Sequence, residues 1–65
     1  MKIYVNGDPV VSNADTLEAL LLELDKATAK IATAVNESFV PAPQRAEYRL
    51  SDGDRVEIVA PRQGG

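Results

Sequence analysis

Apolar and polar residues alternate from the start of the chain. Met1, Ile3 and Val5 are set against Lys2, Tyr4 and Asn6, the period of a strand with one buried face. Asn6-Gly7 follows, the strongest short-range hairpin signal, because both residues tolerate positive φ. Pro9-Val10-Val11 then reads as a short return strand, with Pro9 where no ladder N–H is needed. Beyond Ser12 and Asn13 the period changes. Leu17, Leu20, Leu21 and Leu24 fall at i, i+3, i+4 and i+7, one stripe of an amphipathic helix, and Leu22 lies off it. Asp15 or Thr16 can cap the first turn, with Glu18 at capping-box spacing from Asp15. Glu23 and Lys26 are spaced to pair, Lys26 suits the C-terminal dipole, and the helix is expected to fray out through Ala27, Thr28 and Ala29.

The second half returns to strand character. Ile31 to Val35 is apolar and β-rich, and Asn36-Glu37-Ser38 turns the chain into Phe39-Val40. Pro41 and Pro43 stop regular structure. Gln44 to Arg49 has room for a short helical turn, with Tyr48 and Leu50 as anchors to the core. Asp52-Gly53-Asp54 makes a tight turn into Arg55-Val56-Glu57-Ile58-Val59. In that last strand Val56 and Ile58 face the core and Glu57 faces out, until Pro61 ends it. One leucine-striped helix has only a sheet to cover, so the order predicts an α+β domain: a mixed sheet of four to five strands with the helix on one face.

With 65 residues there is room for one small domain with a thin core and no deep substrate cavity. There is no cysteine, so neither disulfides nor thiolate metal sites enter. The net charge of −3 argues against nucleic acid and against an anionic membrane surface as partners. No apolar run approaches the roughly 20 residues that span a bilayer, and Asn-Gly-Asp-Pro interrupts the start before a signal-peptide core can form. These features read as a soluble, cytoplasmic protein.

Candidate chemistry in the folded part is sparse. Without histidine or cysteine, Ser12, Ser38 and Ser51 lack the usual base of a nucleophilic triad. Asp52-Gly53-Asp54 resembles the opening of a calcium loop, but the twelfth position from Asp52 is Gln63, not the bidentate glutamate that loop needs. Asn36-Glu37-Ser38 fits a glycosylation sequon and is better read as a turn. An enzyme is not expected, nor a bound cofactor or metal. What stands out is Gly64-Gly65 after Pro61-Arg62-Gln63. Lacking Cβ atoms, such a tail can enter a narrow channel and carry a terminal carboxylate into another protein's active site. Fraying is the plainer reading of any terminus. The chain thus divides into a domain over residues 1–61 and a flexible tail over 62–65.

Four stretches together resemble one family: Met1-Lys2-Ile3-Tyr4-Val5-Asn6-Gly7, Thr16-Leu17-Glu18-Ala19-Leu20-Leu21, Ala34 to Pro41, and Leu50 to Ile58 with the Gly64-Gly65 end. The chain resembles the sulfur carrier proteins of the β-grasp, ubiquitin-like superfamily, and most closely the small carrier of bacterial thiamine (thiazole) biosynthesis. The resemblance implies a β-grasp fold and a cycle run by other proteins. A ubiquitin-activating-like adenylyltransferase consumes ATP to adenylate the Gly65 carboxylate. A sulfur donor, such as a cysteine desulfurase system, converts it to a thiocarboxylate, and thiazole synthase receives the sulfur. Tyr4 and Val59 should point away from the helix by alternation. With the first and last strands adjacent, as in β-grasp domains, they form an apolar docking patch near the tail, which Phe39 joins. Arg62 either positions the tail against an acidic groove or keeps it solvated. The small subunit of molybdopterin synthase, a ubiquitin-like protein modifier and a plain binding module are the alternatives.

Overall fold

The structure is a computed structural model describing residues 1–26 and 30–60. The expected fraying of the helix through Ala27–Ala29, the stop at Pro61 and the tail of residues 62–65 lie outside the described residues.

Strand β1 (Lys2–Val5) turns back through Asn6-Gly7 into β2 (Asp8–Val11), helix α1 (Leu17–Glu23) follows, and β3 (Ala32–Val35) pairs with β4 (Ser38–Val40). After a 3-10 turn at Ala42–Gln44, β5 (Arg55–Val59) enters the middle of the sheet. The order is β2-β1-β5-β3-β4, with β1 and β5 parallel and every other pair antiparallel. This mixed five-stranded sheet with one helix is the expected α+β, β-grasp architecture. Pro9 lies on edge strand β2, where its missing N–H breaks no ladder.

The helix has seven residues, too short to persist in water alone, so packing holds it. Leu17, Leu20 and Leu21 are fully buried against Ile3, Val35, Val56 and Ile58, while Leu24 packs at the edge and Leu22 is exposed. Thr16 is the N-cap, its hydroxyl accepting from the Ala19 N–H at 3.2 Å, so the capping box centred on Asp15 is not the one used. The next orphan donors are met from outside the helix. The Leu17 N–H donates to the Tyr48 carbonyl at 2.9 Å and the Glu18 N–H to the Arg45 carbonyl at 3.1 Å. The irregular segment after β4 therefore doubles as a cap for α1, and Leu50 from the same segment is buried in the core.

The helix ends earlier than its leucine spacing implies. Asp25 takes φ +60°, its N–H donates to the Leu22 carbonyl at 3.1 Å, and the Lys26 N–H donates to the Leu21 carbonyl at 2.8 Å. That is a Schellman closure with aspartate where glycine is usual. Glu23 does not pair with Lys26 among the described residues. Its Oε1 accepts instead from the Ser12 Oγ at 2.6 Å, and that hydroxyl also accepts from the Ala14 N–H, which fixes the link between β2 and α1.

Candidate functional site

The helix covers one face of the sheet and leaves the other open. Period-2 alternation sets the open face: Lys2 and Tyr4 from β1, Arg55, Glu57 and Val59 from β5, Ala32 and Ala34 from β3, Phe39 from β4. Val59 and Phe39 are exposed there, at 62% and 68%, and Tyr4 is half-buried.

The expected single patch of Tyr4, Val59 and Phe39 divides in two. β1 and β5 are neighbours, but their parallel register sets Tyr4 beside Arg55 and Val5 beside Val56. Val59 lies four residues further along, about 13 Å of strand, opposite Ala32 on β3. Glu57 stands between. The reason is that β5 begins alongside Tyr4 and runs on past the end of β1, an offset that alternation alone cannot reveal. Val59, at the end of β5, and Phe39, level with Glu57, remain on the same open face on either side of β3, Val59 opposite Ala32 and Phe39 opposite Ala34. Tyr4 belongs to a separate open cleft of about 360 Å³, lined also by Glu37, Arg55 and Glu57 with Gly7 and Gly53 at its edges.

That cleft offers little chemistry. Arg55 and Glu37 approach to 3.9 Å, both well exposed, so water screens the pair. The Lys2 ammonium lies 5.7 Å from the Tyr4 ring centroid, an ordinary surface cation–π contact. No three His, Cys, Asp or Glu side chains among the described residues group to hold a metal ion. No helix among them is long and apolar enough to cross a membrane. Gly64, Gly65 and Arg62 lie outside the described residues; the chain is described up to the exposed Ala60.

One arrangement beside the open face is not legible in the sequence. Asn6, read only as a turn residue, takes φ +51° and directs its side-chain amide at β5. Its Oδ1 accepts from the Ile58 N–H at 2.8 Å and its Nδ2 donates to the Ile58 carbonyl at 3.2 Å. The Asn6 N–H donates to the Val56 carbonyl at 2.9 Å. The side chain thus continues the ladder one step after the β1 backbone has turned away. Only the Asn-Gly signal for positive φ was visible in advance.

A family model described as the ThiS family matches residues 2–65. The sulfur carrier protein ThiS of Escherichia coli is 33% identical over 66 residues, covering 100% of both chains. A thiazole synthase from Paramagnetospirillum magneticum is 41% identical over 66 residues, all of this chain but only 20% of that protein's length. A crystal structure of the thiamine biosynthesis protein ThiS from Geobacter metallireducens superposes with TM-score 0.81 at 29% identity, covering 100% of each chain. Relatives of full matching length are sulfur carriers, which places the chain among carriers rather than enzymes. On its matched residues, its fold and its relatives, the chain belongs to the ThiS family of sulfur carriers in thiamine biosynthesis.

Proposed function

We propose that the chain carries sulfur on the carboxylate of Gly65. The carboxylate oxygen attacks the α-phosphorus of ATP on a ubiquitin-activating-like adenylyltransferase and pyrophosphate leaves. Oxide, a poor leaving group, is thereby replaced by AMP. A persulfide on the sulfur donor, of the cysteine desulfurase class, then attacks the acyl carbon and AMP departs. A thiol cleaves the resulting acyl disulfide, is itself oxidised into a disulfide, and leaves a thiocarboxylate on Gly65. Thiazole synthase is the proposed acceptor.

The observation that carries this reading is the family match, which runs through Gly64-Gly65 at its far end. One further finding supports it: a region like this chain occurs within thiazole synthases, where a carrier and its acceptor on one polypeptide make a natural pair. Val59 and Phe39 form the proposed docking surface beside the outgoing chain, with Arg62 steering the tail and Tyr4 marking the outer limit of contact. An exposed apolar pair bordered by Glu57 suits a partner surface of apolar residues flanked by a cation.

The experiment is an intact mass measurement after incubation with ATP, the adenylating enzyme and a persulfide donor. The carrier reading predicts replacement of one oxygen by sulfur, lost again on addition of thiazole synthase and its substrates. Conjugates on lysine side chains would instead indicate a protein modifier. An unchanged mass would indicate a binding module. Deleting Gly65 abolishes loading while leaving the thermal melt in place.

A further inference from the structure

We infer that Asn6 is a positioning residue for the chemistry at Gly65, acting through the end of β5. This rests on the carrier reading above. On its β3 side β5 is paired along its whole length, from Val56 opposite Val35 to Val59 opposite Ala32. On its β1 side the backbone ladder stops, because β1 ends at Val5 and the chain turns at Asn6-Gly7. Ile58, whose N–H and carbonyl face that side, would present both to water. The Asn6 carboxamide meets both, at 2.8 and 3.2 Å, as a strand residue would. Among the described residues it is the last cross-strand restraint on that side, and Gly65 lies seven residues beyond Ile58 in the sequence.

The consequence is a fixed starting point for the outgoing chain. A docked carrier must bring one carboxylate to one point in the partner, and each loosely held residue before it lowers the fraction of docked complexes in reacting geometry. With Ile58 and Val59 held extended, neither adds freedom that must be lost in the complex. Without the clamp, the end of β5 adds its own. The docking residue Val59 stays paired with Ala32 on the β3 side and Phe39 lies on β4, so the clamp should act on turnover more than on apparent affinity.

The test uses the full chain with ATP, the adenylating enzyme and a persulfide donor. Asn6→Ala lowers kcat for loading about tenfold, the factor expected when roughly one residue's backbone freedom must be lost in the complex. KM changes by less than about twofold, since docking is retained. Amide exchange of Ile58 accelerates while that of Val56 does not. Asn6→Asp keeps the acceptor for the Ile58 N–H and recovers part of kcat. Thr16→Ala, which removes the helix cap remote from β5, lowers the melt but leaves kcat and KM unchanged. If Asn6→Ala lacks a cooperative melt, Asn6→Asp carries the same comparison. A wild-type chain that never loads overturns the carrier reading, and the positioning role with it. A wild-type chain that loads, with Asn6 variants matching it in kcat, overturns the positioning role alone.

Discussion

The two hairpins of the sheet make the same turn and differ in what it costs them. β1–β2 turns at Asn6-Gly7 and β3–β4 at Asn36-Glu37, each a two-residue loop with positive φ at both central positions, the primed turn that matches strand twist. In both, the asparagine reaches across to β5. Asn36 holds its beginning: Oδ1 accepts from the Arg55 N–H at 3.0 Å and Nδ2 donates to Asp54 Oδ1 at 3.0 Å. Asn6 holds its end. The beginning is held redundantly, since Asp54 Oδ2 also accepts from the Ser51 N–H, the Gly53 N–H donates to the Lys2 carbonyl and the Lys2 N–H donates to Asp52. The end of β5 has, on its β1 side, Asn6. The second difference lies at the next residue. Gly7 takes φ +88° freely, whereas Glu37 sits at φ +72°, where a side chain is strained by about 1–2 kcal/mol. A turn strained in this way persists because its flanking strands are fixed by pairing.

The largest effect is expected at the unshared clamp. Asn6→Ala removes two hydrogen bonds and puts a residue poorly suited to positive φ in the turn, lowering stability by about 2–3 kcal/mol in urea unfolding. Asn36→Ala, whose strand end keeps its other restraints, should cost about 1–2 kcal/mol in the same experiment. If the two losses are equal, redundancy at the start of β5 counts for nothing. Gly7→Ala tests the turn alone. A Cβ there meets no atom within 4 Å, so its loss of about 1 kcal/mol is purely conformational. Glu37→Gly runs the other way and raises stability by about 0.5–1 kcal/mol, read as a higher denaturation midpoint, because the relieved strain exceeds the entropy glycine adds to the unfolded chain. Smallest of all, Arg55→Gln removes the exposed pair with Glu37 and shifts stability by less than about 0.5 kcal/mol, and added salt should erase even that.

Both hairpins could be read from the sequence because their signals are local. Asn-Gly marks a primed turn and Asn-Glu-Ser a turn, each within four residues between apolar alternations. Val56, Glu57 and Ile58 likewise announce their facing through period-2 alternation, as the buried-exposed-buried pattern of β5 shows. The helix was legible in its face but not in its length, because Leu24 extends the stripe while Asp25 adopts a left-handed conformation that aspartate takes only occasionally. What stayed hidden depends on which strands meet. The parallel offset of β1 and β5 separates Tyr4 from Val59, and it is set by contacts more than fifty residues apart in the chain, such as Asn6 with Ile58. The use of Tyr48 and Arg45 carbonyls to cap α1 is non-local in the same way. At the candidate site the terminal glycines were visible as composition, and the device inferred to aim them was not.

The central claim is that sulfur resides on Gly65, and fragment-ion mass spectrometry of the loaded chain tests it most directly. The C-terminal fragments ending in Gly65 should carry sulfur in place of one oxygen, the substitution should require ATP, and N-terminal fragments up to Gly64 should be unaltered. Sulfur found on any residue before Gly65, or loading that survives deletion of Gly65, would contradict it.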